Sequence, residues 1–119
     1  MQARSFLDIN RLSLEFKTRN VVVPVLDNVS MQLNKGEILG VVGESGSGKS
    51  VTAYSILNLN GDASTITAGS IYFDGLSLHK PSESLLRDIR GREISIIFQN
   101  PMSTLNPIRS VRDHLKDML

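Results

Sequence analysis

From Leu7 to Phe16 apolar and polar residues alternate (LDINRLSLEF), the pattern of a half-buried strand. The next stretch, NVVVPVLDNVSMQL, continues in a β-rich style. Pro24 interrupts it, which favours a sheet edge or a turn over a central strand. Residues 34–36 (NKG) read as a turn, and EILGVVG, residues 37–43, as a short apolar run of the buried-strand type. Val51, Tyr54, Ile56 and Leu57 then recur at helical spacing, predicting a helix from near Lys49. NGDASTITAGS is loop-like. SIYFDGLSL predicts two short strand pieces around an Asp74–Gly75 turn, the strongest local hairpin signal in the chain. Pro81 and Ser82 offer a start for a helix over SESLLRDIR, with Glu83 in its first turn. REISIIFQ reads as a strand, and NPMSTLNP as a loop bounded by two Asn-Pro pairs. In the last ten residues Val111, Leu115 and Met118 stand at i, i+4, i+7, predicting an amphipathic helix.

Composition narrows the class of protein. At 119 residues the chain has the length of one domain with a modest core, and 40% hydrophobic against 21% charged residues is an ordinary globular balance. Thirteen basic and twelve acidic residues leave a formal charge of +1, which makes no electrostatic case for a nucleic-acid partner or a polybasic membrane anchor. The absence of cysteine excludes a disulfide framework and cysteine–zinc sites. Asp8, Asn10, Arg11 and Glu15 break every apolar run near the start, so the opening segment reads as neither signal peptide nor membrane span. Any association with a membrane is expected through a protein partner.

The chemistry concentrates in GVVGESGSGKS, residues 40–50. Gly43, Gly48, Lys49 and Ser50 satisfy the phosphate-loop pattern G-x-x-x-x-G-K-[ST]. Small residues at Ser45, Gly46, Ser47 and Gly48 let consecutive amides turn toward an anion. A helix beginning near Lys49 would aim its positive end at the same place. Lys49 adds a mobile point charge for terminal phosphates, and the Ser50 hydroxyl suits Mg²⁺. A predicted strand before the motif and a helix after it supply the context the pattern requires.

The combination of LDNVSMQLNKGEILGVVGESGSGKS, GSIYFDG and IRGREISIIFQNPMSTLNP resembles the ATP-binding subunits of ABC transporters. The last stretch is similar to the branch that imports oligopeptides, dipeptides and nickel. The resemblance runs from about Phe6 to Leu119 and implies an α/β fold. Its core would be a P-loop NTPase (RecA-like) domain, incomplete here, with an N-terminal antiparallel β subdomain from residues 5–35 and 69–75. It implies ATP and Mg²⁺ as cofactors, phosphate contacts along Gly43, Glu44, Ser45, Gly46, Ser47, Gly48, Lys49 and Ser50, and a contact from the Val51 amide to the α-phosphate. Phe16 falls where the family places an aromatic that stacks on adenine, and equally reads as a core aromatic at a strand end. Gln99 matches the Q-loop glutamine that touches Mg²⁺ and the attacking water. The region after it would face membrane-spanning permease subunits, and a second ATP-binding subunit would complete the assembly at the cytoplasmic face of the cell (inner) membrane.

Other candidates carry less. The stretch SIYFD superficially resembles a strand ending in a Walker B aspartate, but Gly75 follows where a catalytic Glu belongs, and Asp-Gly accounts for itself as a turn. His79 and His114 have no partner at metal-ligand spacing and read as solvated surface residues. Arg87, Arg90 and Arg92 are diluted by Asp88 and Glu93 and read as a solvated face or part of a partner contact. A compact P-loop kinase or GTPase would need a lid and acceptor site, or a guanine-reading N-K-x-D, and neither is in the sequence.

In the resembled family the signature motif, the Walker B Asp with its catalytic Glu, and the switch histidine follow the Q-loop. The chain has twenty residues after Gln99 and none of these motifs. The expectation is therefore the front half of a transport ATPase, binding nucleotide without turning it over alone, because phosphoryl transfer depends on positioning and charge stabilisation by all of these groups. The alternative is a non-catalytic nucleotide-binding fragment with no transport role. An open sheet edge beside the phosphate-loop strand is also expected, leaving the isolated chain marginal, self-associating or prone to aggregate.

Overall fold

The computed structural model describes residues 5–100 and 108–118. Two compact units divide the chain, Met1–Arg87 and Asp88–Leu119.

The first unit is built on a four-stranded antiparallel sheet, order β2-β1-β3-β4, with β1 at Leu7–Lys17, β2 at Val22–Leu33, β3 at Ser64–Phe73 and β4 at Leu76–Ser77. β1 and β2 are joined at Thr18–Val21, where the Thr18 amide donates to the Val21 carbonyl at 2.8 Å. Strand β2 lies on the edge, and its Pro24 stands opposite Glu15 beside a register shift, where a missing N–H breaks little. The Asp74–Gly75 hairpin forms as expected: Phe73 pairs with Leu76, and the two loop residues have φ of 46° and 79°. Positive φ at both positions is the type I′ geometry that matches strand twist.

The alternation along β1 does not run through unbroken. Ile9 is buried and so are Leu12 and Leu14, a set that changes from odd to even positions. A bulge makes the change. Arg11 and Leu12 face the single residue Gly69 on β3, and Asn10 and Arg11 face Ser30 on β2. The extra residue Arg11 takes φ of 49°, and its amide, which leaves the ladder, donates to Ser30 Oγ at 2.8 Å. One pair further on, Asp27 and Asn28 of β2 face Ser13. Asn28 has φ of 56° and donates its amide to Ser13 Oγ at 3.0 Å. Each bulged amide thus finds a serine hydroxyl on the strand opposite in place of a ladder carbonyl.

These corrections of phase put Ile9, Leu12, Leu14, Leu26, Ile71 and Phe73 into one core with Leu57, Leu78 and Leu86. Phe6 meets the Phe73 ring edge-on at 4.8 Å between centroids. Helix α1, Lys49–Ile56, follows the phosphate-loop motif. Helix α2, Glu83–Ile89, starts after Ser82, whose Oγ accepts the Leu85 amide at 3.1 Å.

Three expectations are corrected. Residues 64–69, read as loop, are the first half of β3, because Thr65, Ile66 and Thr67 bring β-branched side chains that the neighbouring glycines disguised. Residues 37–43, read as a buried strand, enter no ladder: Ile38 is 98% and Val42 94% exposed. A parallel strand is buried on both faces only when neighbours and crossover helices cover it, and this sheet ends at β2 and β4 without including that run. REISIIFQ likewise forms no strand in the second unit.

In that unit Ile94 makes an isolated bridge to Arg90, and Ile97 is 92% exposed. The turn before it is held by the Ile89 carbonyl, which accepts the amides of Glu93 and Ile94 at 3.0 and 3.1 Å. Helix α3 spans Val111–Met118. Ser110 caps it by accepting the Asp113 amide at 3.2 Å and donating to Asp113 Oδ2 at 2.8 Å. Arg109 and Asp117 close an exposed ion pair at 2.6 Å. The expected NPMSTLNP loop lies, apart from Asn100, outside the described residues.

Candidate functional site

Gly43 to Gly48 form a loop that runs directly into α1, whose first turn carries Lys49, Ser50 and Val51. Two glycines make the loop possible for different reasons. Gly48, the residue before α1, has φ of 98°, and a Cβ there would stand 2.8 Å from Leu26 Cδ2. Gly43 is needed for space, since its Cβ would stand 2.7 Å from Ser47 Oγ. Gly46, at φ 83°, has open space around it and serves the backbone alone.

The Lys49 side chain folds back over the loop. Its ammonium donates to the Gly43 carbonyl at 2.6 Å, the Glu44 carbonyl at 2.7 Å and Ser47 Oγ at 3.1 Å. The Ser47 amide is committed to the Glu44 carbonyl at 3.1 Å, so it closes a turn. The first helical amides, those of Lys49, Ser50 and Val51, have no carbonyl one turn back to receive them, and no side chain caps the helix. They remain as donors at the positive end of α1. Lys49 is half-buried; Glu44, Ser45 and Ser50 are exposed.

The remainder of α1 is anchored by hydroxyls. Its buried positions are Thr52 and Ser55, where the sequence points to Val51, Tyr54, Ile56 and Leu57; of those four Leu57 is buried and the others half-buried. Thr52 Oγ1 donates to the Gly48 carbonyl at 2.8 Å and Ser55 Oγ to the Val51 carbonyl at 2.7 Å. Asn60 adds its amide to the Val51 carbonyl at 3.1 Å and to Ser55 Oγ at 2.9 Å. Helix spacing of two small hydroxyl residues was the available signal for this face; nothing in the sequence marks Asn60. A cleft of about 290 Å³ opens at this far end of α1, where Ser55, Asn58, Asn60 and Lys80 meet the apolar side chains of Leu14, Ile66, Leu78 and Pro81. It lies a helix length from the loop.

Phe16 is half-buried on β1 between Val23 and Ser64. It shares strand phase with Leu14, which pairs with Leu26, the residue packed on Gly48. Gln99 belongs to the second unit and is exposed there. Asp74 is an exposed corner of the β3–β4 hairpin, in keeping with its reading as a turn residue. Among the described residues no group of three or more His, Asp or Glu stands ready for a metal ion, and no helix is long and apolar enough to cross a membrane.

The chain is similar along most of its length to known proteins. It is 44% identical over 111 residues to the peptide transport system ATP-binding protein SapD of Haemophilus influenzae, covering 93% of this chain and 32% of that protein. Against SapD of Escherichia coli O6:H1 the identity is 46% over 105 residues, 88% of this chain and 32% of the relative. The ABC transporter ATP-binding protein YejF of E. coli K12 is 44% identical over 117 residues, 98% of this chain and 22% of YejF. The chain thus spans about a third or less of the length of these curated relatives. Among solved structures, the dimeric bacterial ABC transporter cassette MJ0796 matches with a TM-score of 0.65 at 22% identity, over 92% of this chain and 53% of the cassette. A second structure of MJ0796, a post-hydrolysis state bound to ADP and Pi, matches with a TM-score of 0.64 at 20% identity, over 94% and 53%. Their fold is therefore the fold of this chain, with the antiparallel β subdomain and the phosphate loop in place. The ABC transporter family profile covers residues 26–118, and with it the loop, α1 and Gln99: the chain belongs to the ABC transporter ATP-binding family.

Proposed function

We propose that residues 43–51 bind the phosphates of MgATP, as part of the ATP-binding subunit of an ABC importer of peptides. The observation that carries this reading is the Lys49 ammonium, gathered over the loop at 2.6 to 3.1 Å from three of its oxygens at the start of α1. A positive side chain and uncapped helix amides at the start of α1 suit the charge of a polyphosphate. Lys49 and the amides of Ser45, Gly46, Gly48, Lys49 and Ser50 would hold the β- and γ-phosphates and the Val51 amide the α-phosphate, while the Ser47 amide keeps its turn bond to Glu44. Ser50, exposed beside them, would hold Mg²⁺, which supplies neutralisation of phosphate charge when bound. The family resemblance gives Gln99 a part in binding the same ion and in signalling to membrane-spanning permease subunits. Phe16 would stack on adenine, supported by its strand phase toward the Gly48 side of the sheet.

Turnover is not assigned to these residues alone. Asp74, the one aspartate that follows an apolar strand in Walker B fashion, is a corner of a hairpin. Hydrolysis in this reading needs a base and a signature motif from elsewhere in the assembly, including a second ATP-binding subunit. The relatives' names place peptide transport in their function, and the same solute class is proposed here, with the subunit at the cytoplasmic face of a membrane through its permease partners.

A calorimetric titration of the 119-residue chain with MgATP tests the reading. One saturable site that Lys49→Ala abolishes is the expected result. Absence of heat from folded protein, or equal binding by the variant, would refute it.

A further inference from the structure

We infer that Ser47 is a positioning residue for Lys49: its hydroxyl holds the third donor of the ammonium over the loop and releases it to an incoming phosphate oxygen, setting the rate of nucleotide entry. This rests on the nucleotide-binding reading above and adds a controlling residue to it.

An ammonium group has three N–H donors. All three have acceptors here, the Gly43 carbonyl at 2.6 Å, the Glu44 carbonyl at 2.7 Å and Ser47 Oγ at 3.1 Å. A phosphate oxygen can be served only when one of these is given up. The two carbonyl contacts are shorter and belong to backbone that the Ser47-to-Glu44 turn bond holds in place. The hydroxyl contact is the longest and its oxygen sits on a rotatable side chain. Lys49 therefore keeps its two carbonyls and turns its third N–H from Ser47 to the phosphate.

The seat of that hydroxyl is built into the loop. Ser47 Oγ occupies the space that a side chain at residue 43 would fill, 2.7 Å from the position of a Cβ there. Gly43 thus makes room for the latch as well as for the turn. With the latch closed, Lys49 lies over the carbonyls of its own loop and meets a ligand only after an exchange of partners. Removing the hydroxyl removes one contact from the free state and none from the bound state.

The test is rapid mixing of the whole chain with Mg²⁺ and a fluorescent methylanthraniloyl ATP, for the wild type and for Ser47→Ala, Ser47→Thr and Lys49→Ala. Loss of one solvent-exposed hydrogen bond of ordinary net strength predicts association roughly three- to tenfold faster in Ser47→Ala with unchanged dissociation. Ser47→Thr, which restores a hydroxyl, returns the wild-type rate. A general loosening of the loop would raise dissociation instead. Unchanged or slower association in Ser47→Ala, or a rise in its dissociation rate, overturns the inference while leaving nucleotide binding intact. No binding by wild type, or equal binding by Lys49→Ala, removes the underlying reading and this inference together.

Discussion

Leu26 of the edge strand β2 packs against Gly48 at the mouth of α1, with its Cδ2 only 2.8 Å from where a β-carbon on that glycine would stand. The antiparallel sheet therefore sets where the helix begins, and through it where the first helical amides sit.

Comparison of two glycines separates the packing at this point from backbone strain. Gly48 and Gly46 have φ of 98° and 83°, but only Gly48 has a neighbour inside contact distance. Gly46→Ala is expected to cost about 1–2 kcal/mol from left-handed strain alone. Gly48→Ala adds an overpacking cost of about 1–3 kcal/mol and weakens MgATP binding, because α1 must shift to clear Leu26. Urea unfolding of both variants measures the difference; equal losses would show that Leu26 yields freely.

The bulged amides of Arg11 and Asn28 make a second test. Ser30→Ala and Ser13→Ala each remove the hydroxyl oxygen that accepts one of them. Each should cost about 1 kcal/mol, less at Ser30, which is exposed enough for water to replace the hydroxyl. Gly69→Ala should cost more than either. At φ 94° its Cβ would stand 2.6 Å from Leu12 Cα, against backbone that cannot move without breaking the β1–β3 ladder. Stability in urea, ranked across the three variants, decides this order.

Ser55, Asn60 and the Val51 carbonyl form one polar cluster at the other end of α1. Ser55→Ala and Asn60→Ala are each expected to destabilise by about 1 kcal/mol, and the double variant by less than the sum, with a coupling of about 0.5 kcal/mol or more. A double-mutant cycle in chemical denaturation measures that coupling. Strict additivity would mean that the two side chains act independently.

In α3 the cap should outweigh the ion pair. Ser110→Ala removes an N-cap bond and should cost the helix about 1 kcal/mol. Arg109→Ala removes an ion pair whose side chains are 41% and 62% exposed, a contact worth about 0–1 kcal/mol and screened by salt. Amide exchange over 111–118 at two salt concentrations distinguishes them, since only the Arg109 effect should fade at the higher one.

Local chemistry was legible in the sequence wherever short-range rules decide. Asp74–Gly75 announced its turn, Ser82 stands where its helix starts, and the helix expected from near Lys49 begins there. The sequence was less legible where the outcome depends on distant partners. Residues 37–43 have the composition of a buried strand, yet that composition records an environment that only neighbouring strands can provide, and Ile38 and Val42 remain in solvent. β3 was half hidden because Gly61, Ala63 and Gly69 flank a Thr-Ile-Thr run that pairing with β1 makes into strand. Asn60 and Leu26 carried no signal, since their importance lies in what they touch.

The irregularity of β2 has a consequence for how this molecule meets copies of itself. An exposed edge strand can act as a template only along a run of evenly spaced backbone donors and acceptors. Val21, Val22 and Val23 would be sticky on such an edge, but Pro24 removes a donor just beyond them and the shifts at Val25 and Asn28 break the spacing twice more. Five residues, Val29–Leu33, are the longest even stretch remaining, with Ser30 and Gln32 exposed on it. The same kinks that set the core in phase therefore leave this border of the sheet a poor pattern for another strand to copy.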